Sequence, residues 1–211
     1  GTDSFLTQYN LFNLSRTAAI YAFIAGAQLL VAVIGGMNLA VGAVGALSSI
    51  VLGLALENAG LSMPVAVLLA LLCGAVCGLI NGFLVVKLKL SGFIITLAMS
   101  FIYDGIALGI SHGYPYAVPD SLASLGRTRI GPTSLLFIIM LVFVVILAIF
   151  FRNTKFGRDI LATGGNEAAA KLSGIKTDFV PIACNTLSCI LAALEAVLWS
   201  AITGFATSHP V

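Results

Sequence analysis

The chain has 211 residues, of which 60% are hydrophobic and only 9% charged, with a formal net charge of +2. A soluble domain carries about 25% charged residues, so water cannot cover this surface in the ordinary way and lipid must cover much of it. The near-neutral balance, without a basic tract, excludes a nucleic-acid-binding surface.

The pattern predicts an all-α, polytopic transmembrane helix bundle with about six spanning segments: residues 17–35, 38–56, 63–86, 92–111, 134–151 and 179–204. The chain reads as a single transmembrane domain over residues 1–211. It begins at Gly1 without a basic region before its first apolar run, so a cleavable signal peptide is not expected.

The first two segments form one run, residues 17–56, that contains no Asp, Glu, Lys or Arg. As one helix it would reach roughly 60 Å, twice the hydrocarbon thickness. The run must therefore turn, and Gly35, Gly36 and Asn38 mark the break. Asn38 is either a position on a translocation path or an interhelical hydrogen-bonding residue.

The third segment carries small residues at every fourth position: Ala66, Ala70, Gly74, Gly78 and Gly82. Such a stripe lets two helix backbones approach closely in lipid. It fits packing within one subunit or a seam between two copies. Asn81, at the end of the stripe, is a second interhelical or path candidate. Cys73 and Cys77 are spaced i,i+4, with no His or carboxylate beside them to complete a metal site; packing by small residues is the plainer reading, as for Cys184 and Cys189.

The fourth segment holds Asp104 and the last holds Glu195. A carboxylate at membrane depth needs a partner, a proton or water, so each is a pathway or an ion-pair candidate. Between the fourth and fifth segments, residues 113–133 are rich in turn formers: Gly113, Pro115, Pro119, Gly126, Gly131 and Pro132. They form either a connector or an extracellular docking surface. The pairs Ser111–His112 and Ser208–His209 are adjacent in sequence and lack a third orienting group, so they give little support to an intramembrane hydrolase. No GxxxxGK[ST] loop for ATP occurs.

Residues 152–178 form the longest charged break. Arg152, Lys155, Arg158, Lys171 and Lys176 make up half of the ten Lys and Arg residues. With Lys87 and Lys89 they put seven cations on one side of the bundle, against Arg16, Arg127 and Arg129 on the other. That bias places 87–89 and 152–178 in the cytosol and 113–133 outside. Within the break, Asn166 as N-cap, Glu167 in the first turn, Ala168 to Leu172 and Gly174 as a stop predict a short, solvent-facing helix.

Three strings resemble a known family: GGMNLAVGAVGAL at 35–47, GLINGFLVVKLKLSGFIITLAMS at 78–100, and TKFGRDILATGGNEAAAKLSGI at 154–175. Together they resemble the permease subunit of bacterial ATP-binding cassette importers for simple sugars, the ribose-type branch, over nearly the whole chain. The resemblance implies that residues Gly165, Asn166, Glu167, Ala168, Ala169 and Gly174 belong to a coupling helix that docks on a cytosolic ATPase. Asn38, Asn81 and Asp104 are then candidate translocation-path residues. The implied partners are ATPase subunits that bind the ATP, an extracytoplasmic sugar-binding protein, and a second permease subunit, identical or not. The chain itself is then no enzyme and carries no cofactor, in a bacterial plasma membrane. It departs from the family at Asn38, where Asp is usual, and at Ser91, where Pro is usual. Family members also carry further spans on both sides, so the resemblance implies an incomplete permease. The alternative is a secondary transporter driven by an ion gradient, with Asp104 and Glu195 as the ion or proton sites.

Overall fold

A computed structural model describes residues 7–131 and 133–208 of the chain; Pro132 and His209 lie outside them. Six helices are long and apolar enough to cross a membrane: α1 (Gln8–Ala32), α2 (Val41–Gly53, continued by a π-helical turn at Leu54–Asn58), α3 (Met63–Leu88), α4 (Gly92–Ser111), α6 (Leu135–Asn153) and α9 (Phe179–Thr203). Three shorter helices lie in the connections: α5 (Asp120–Arg127), α7 (Lys155–Gly165) and α8 (Glu167–Leu172). The bundle is all-α apart from two pairs of two-residue strands, β1 (Tyr116–Ala117) with β4 (Phe205–Ala206) and β2 (Arg129–Ile130) with β3 (Thr133–Ser134).

The six expected spans correspond one to one with these helices, and their ends differ for local reasons. α1 starts at Gln8 rather than Thr17, because Thr7 caps the amide of Asn10 and the helix runs on through polar residues. Its early turns are tied to the outer loop: the guanidinium of Arg129 lies 4.3 Å from the ring centroid of Phe12, and that of Arg16 lies 5.6 Å from it. The break after α1 falls at the double glycine, where Gly35 adopts φ +75°, a conformation that a side chain makes costly. α2 then begins at Val41 rather than Asn38, leaving 36–38 without regular structure.

α9 is the central element, packed against α1, α2, α3, α5 and α7. Its tightest seam is with α3. A Cβ at Gly74 would come within 2.6 Å of the Cys189 carbonyl, at Gly78 within 2.5 Å of Thr186 Cα, and at Gly82 within 2.5 Å of Ile182 Cα. The small-residue stripe therefore brings two helices of the same chain together, where close backbone approach gains dispersion contact. Cys77, Cys184 and Cys189 are buried as free thiols in this packing.

The helix ends sort into two faces. On one, a Cβ at Gly53 would strike Tyr116, β1 pairs with β4, and α5 lays Gly126 on the backbone of Ala201 in α9. The opposite end holds the α1–α2 connector, the α3–α4 turn and residues 154–178, and carries the seven cations; it is the end that the charge bias assigns to the cytosol. α6 is nearly bare, with Leu136 its one buried residue.

Candidate translocation path and coupling segment

The connector 33–40 turns back into the bundle from the cytosolic end. Asn38 is fully buried and held on every polar atom of its side chain and backbone. Its Nδ2 donates to Ser188 Oγ at 3.0 Å, and its Oδ1 accepts from the Ala40 amide at 3.1 Å. Gln28 of α1 completes the frame: its Nε2 donates to the Asn38 carbonyl at 2.7 Å, and its Oε1 accepts from the Asn38 amide at 3.4 Å. Next in the chain, the Leu39 amide donates to Thr96 Oγ1 of α4 at 3.0 Å. Extended backbone at this depth is tolerated because protein groups satisfy it.

Two clefts meet at this connector. The outer one, about 320 Å³, is lined by Leu39, Gly42, Ala46, Ser100, Asp104 and Ser208. The inner one, about 420 Å³, is lined by Gly36, Met37, Ser91, Phe93, Pro181 and Asn185. Met37 thus belongs to one cleft and Leu39 to the other, with the pinned Asn38 between them. Asp104 is exposed in the outer cleft, about 10 Å from the outer end of α4 by helical rise. Among the described residues it has no ion-pair partner. In the inner cleft the buried Oδ1 of Asn185 has no hydrogen-bond partner.

Asn81 sits apart from both clefts. It is fully buried, accepts from the Tyr103 hydroxyl at 2.9 Å, and joins α3 to α4; the same hydroxyl also contacts the Cys77 carbonyl at 3.1 Å. Glu195 is buried on α9, with its Oε2 facing Gly45 of α2. Ser111 Oγ is taken up by the Gly113 amide, and His112 closes α4 at φ +50°.

The cytosolic segment is more ordered than its charges suggest. Residues 155–165 form α7, which the sequence reading treated as loop. Thr154 starts it by accepting from the Gly157 amide at 3.0 Å, and it buries Gly157, Ile160 and Thr163. Gly165 is accordingly the last residue of α7. Asn166 ends α7 and caps α8, its Oδ1 accepting from the Ala169 amide at 3.0 Å. At the other end of α8, Gly174 takes φ +83°; the Gly174 amide donates to the Lys171 carbonyl and the Ile175 amide to the Ala170 carbonyl. That is the paired-bond stop for which glycine is the favoured residue.

α8 therefore has a defined inner and outer side. Ala170 is buried, Glu167, Ala168 and Ala169 are exposed, and Leu172 is 91% exposed. A leucine so bare at the end of a capped helix leaves its apolar area open to burial against another surface. α7 also reaches the connector: a Cβ at Gly164 would strike the Val33 carbonyl and approach Ile34 Cα within 3.4 Å. A contact path thus runs from α8 through α7 to Val33 and Ile34, the start of the connector that divides the two clefts. The sequence reading did not single out Leu172, Gly164 or α7. The one signal for them was an apolar residue ending the EAAAKL helix, after a double glycine in a helical pattern.

Residues 10–210 match the protein family described as branched-chain amino acid transport system, permease component. The chain is 37% identical over 199 residues to the ribose import permease protein RbsC of Bacillus subtilis, covering 92% of this chain and 61% of that protein. With RbsC of Escherichia coli K12 it shares 32% identity over 202 residues, 93% of this chain and 63% of the relative. The autoinducer 2 import system permease protein LsrC of Photorhabdus luminescens is 34% identical over 194 residues, 90% of this chain and 57% of the relative. The chain thus spans about three fifths of the length of these relatives. No solved structure matches it.

Proposed function

Given that the chain belongs to the branched-chain amino acid transport system permease component family, we propose that it is the membrane-spanning part of an ATP-binding cassette importer, forming the path for a sugar or similar small polar solute. The names of its relatives, import permeases for ribose and for autoinducer 2, support that solute class. The proposed partners are cytosolic ATPase subunits, which bind the ATP, an extracytoplasmic sugar-binding protein and a second permease subunit.

One observation carries the reading: the connector 33–40 divides an outer from an inner cleft at Met37–Leu39, and α7 packs on its first residues, Val33 and Ile34. Alternating access needs such a barrier, together with a device that moves it. In this account α8, with Glu167, Ala168, Ala169 and Leu172 outward, seats in the ATPase. Asn166 and Gly174 fix its bounds, and Gly165 is the last residue of α7 before it. When the ATPase pair closes, α8 and α7 shift together and push on Val33 and Ile34. The hydrogen bonds of Asn38 to Ser188 and of Leu39 to Thr96 then exchange for another set. The difference in α8 contact between the two ATPase states supplies the driving free energy. Asp104 and Ser100 offer acceptors to solute hydroxyls in the outer cleft, and Asn81 holds α3 and α4 in place beside it.

The test compares two adjacent glycines in the full-length protein reconstituted with its ATPase. Gly164→Val thrusts a side chain into the Val33 backbone, whereas Gly165→Ala meets open space. Expected is solute-stimulated ATP hydrolysis and uptake lost at least tenfold in Gly164→Val, and kept within twofold in Gly165→Ala. Equal behaviour of the two variants would remove α7 from the coupling route.

A further inference from the structure

At the cytosolic boundary of the bundle lies a cleft of about 620 Å³ that the transport reading leaves unused. Two helix N-termini open on it, Lys155 and Phe156 of α7, and Phe179 and Val180 of α9; Lys176 lines it between them. Helix N-termini and lysine ammonium groups both favour an anion. Asp159 also lines the cleft, one turn along α7 from Lys155, which leaves the lining with one net positive charge. Neither lysine has an ion-pair partner among the described residues. The cleft does not end in water. Phe156 contacts Phe179 with ring centroids 6.2 Å apart and Phe150 at 6.1 Å.

Phe150 in turn begins a second groove, of about 180 Å³, whose lining exposes no polar atom. Leu30 of α1, Phe143, Ile146 and Leu147 of α6, and Leu187 and Ile190 of α9 form its walls. From Asn153, the last residue of α6, back to Phe143 the helical rise is about 15 Å, half the hydrocarbon thickness. A cationic mouth at the membrane boundary and a wholly apolar groove along α6 are thus joined by two contacting aromatic rings, Phe156 and Phe150.

The geometry points to a binding site for one anionic phospholipid of the inner leaflet, its phosphodiester between Lys155 and Lys176 and an acyl chain along α6 and α9. A free phosphate matches the mouth and not the groove; a neutral lipid matches the groove and not the mouth. The site is independent of what the bundle transports. It also places a lipid beneath Ser173 and Gly174, which line the same cleft, so its occupancy bears directly on the segment after α8.

The test is native mass spectrometry of the full-length protein carrying phosphatidylglycerol or phosphatidylcholine. Expected is one phosphatidylglycerol retained beyond the phosphatidylcholine count. Each boundary lysine adds about fivefold to binding at an anionic surface, so Lys155→Gln with Lys176→Gln weakens retention about thirtyfold. Ile146→Trp, which fills the apolar groove from an exposed position, also removes the retained lipid while leaving both lysines. Lys87→Gln with Lys89→Gln, on the same face but outside the cleft, leaves it in place. Equal retention of the two lipids overturns the proposal, as does equal loss in both lysine pairs, displacement by millimolar inorganic phosphate, or an unaffected Ile146→Trp variant.

Discussion

Replacing Leu172 by Ala separates docking from folding more cleanly than any other change in the cytosolic segment. The side chain is 91% exposed, so its loss should move the stability of the bundle by no more than about 0.5 kcal/mol. If Leu172 seats in a pocket of the ATPase, the substitution removes roughly three buried carbons. At about 0.8 kcal/mol for each, that is about 2.4 kcal/mol, or near fiftyfold in affinity. Ala168 and Ala169, also exposed, are too small to contribute as much. The assay is a binding titration of the purified ATPase subunit against full-length permease in nanodiscs, with thermal unfolding of the permease measured alongside. Affinity within twofold of the parent protein would refute the role given to Leu172. A drop in Tm of more than a few degrees would show that the side chain supports the fold instead.

Three further outcomes follow from the packing and the clefts. Gly78→Ala forces a methyl group to within 2.5 Å of Thr186 Cα and should cost about 1–3 kcal/mol of stability, whereas Gly105→Ala, with open space around it, should leave thermal unfolding in detergent unchanged or slightly raised. Asn38→Asp should fold, because the buried aspartic acid's carbonyl oxygen still accepts from the Ala40 amide and its hydroxyl donates to Ser188; Asn38→Leu strands Ser188 and the Ala40 amide and should lower Tm in the same assay. Asp104→Asn keeps a hydrogen-bonding group in the outer cleft and should reduce uptake in proteoliposomes less than tenfold with ATP hydrolysis still coupled; complete loss of uptake that an imposed ion gradient otherwise drives would favour the ion-gradient alternative.

The spans were legible because lipid imposes a strong compositional demand that is read residue by residue. The turn at Gly35–Gly36 was equally plain, since no helix of that length fits a bilayer. Asn166 and Gly174 were found as the bounds of α8 because capping is local chemistry. What escaped was tertiary. α7 carries Lys155, Arg158 and Asp159 on its solvent side and buries Ile160 against α1 and α9, and the charges masked the helical period. Whether Gly74, Gly78 and Gly82 faced α9 or another copy could not be read from spacing, because the stripe is the same in either case. The far partners of the Asn38 side chain lie 150 and 151 residues along the chain, at Ser188 and Cys189, so the sequence marked the polar residue and not what holds it. Leu172 reads as one more apolar residue until its burial is known.

Photo-crosslinking from position 168 tests the central claim most directly. Ala168 is exposed on α8, and a photoreactive residue there, in full-length protein within membranes that contain the ATPase subunits, should capture an ATPase subunit, with a yield that changes between nucleotide-free and ATP-bound states. Capture of the extracytoplasmic binding protein from that position, or of no ATPase in either state, would contradict the account.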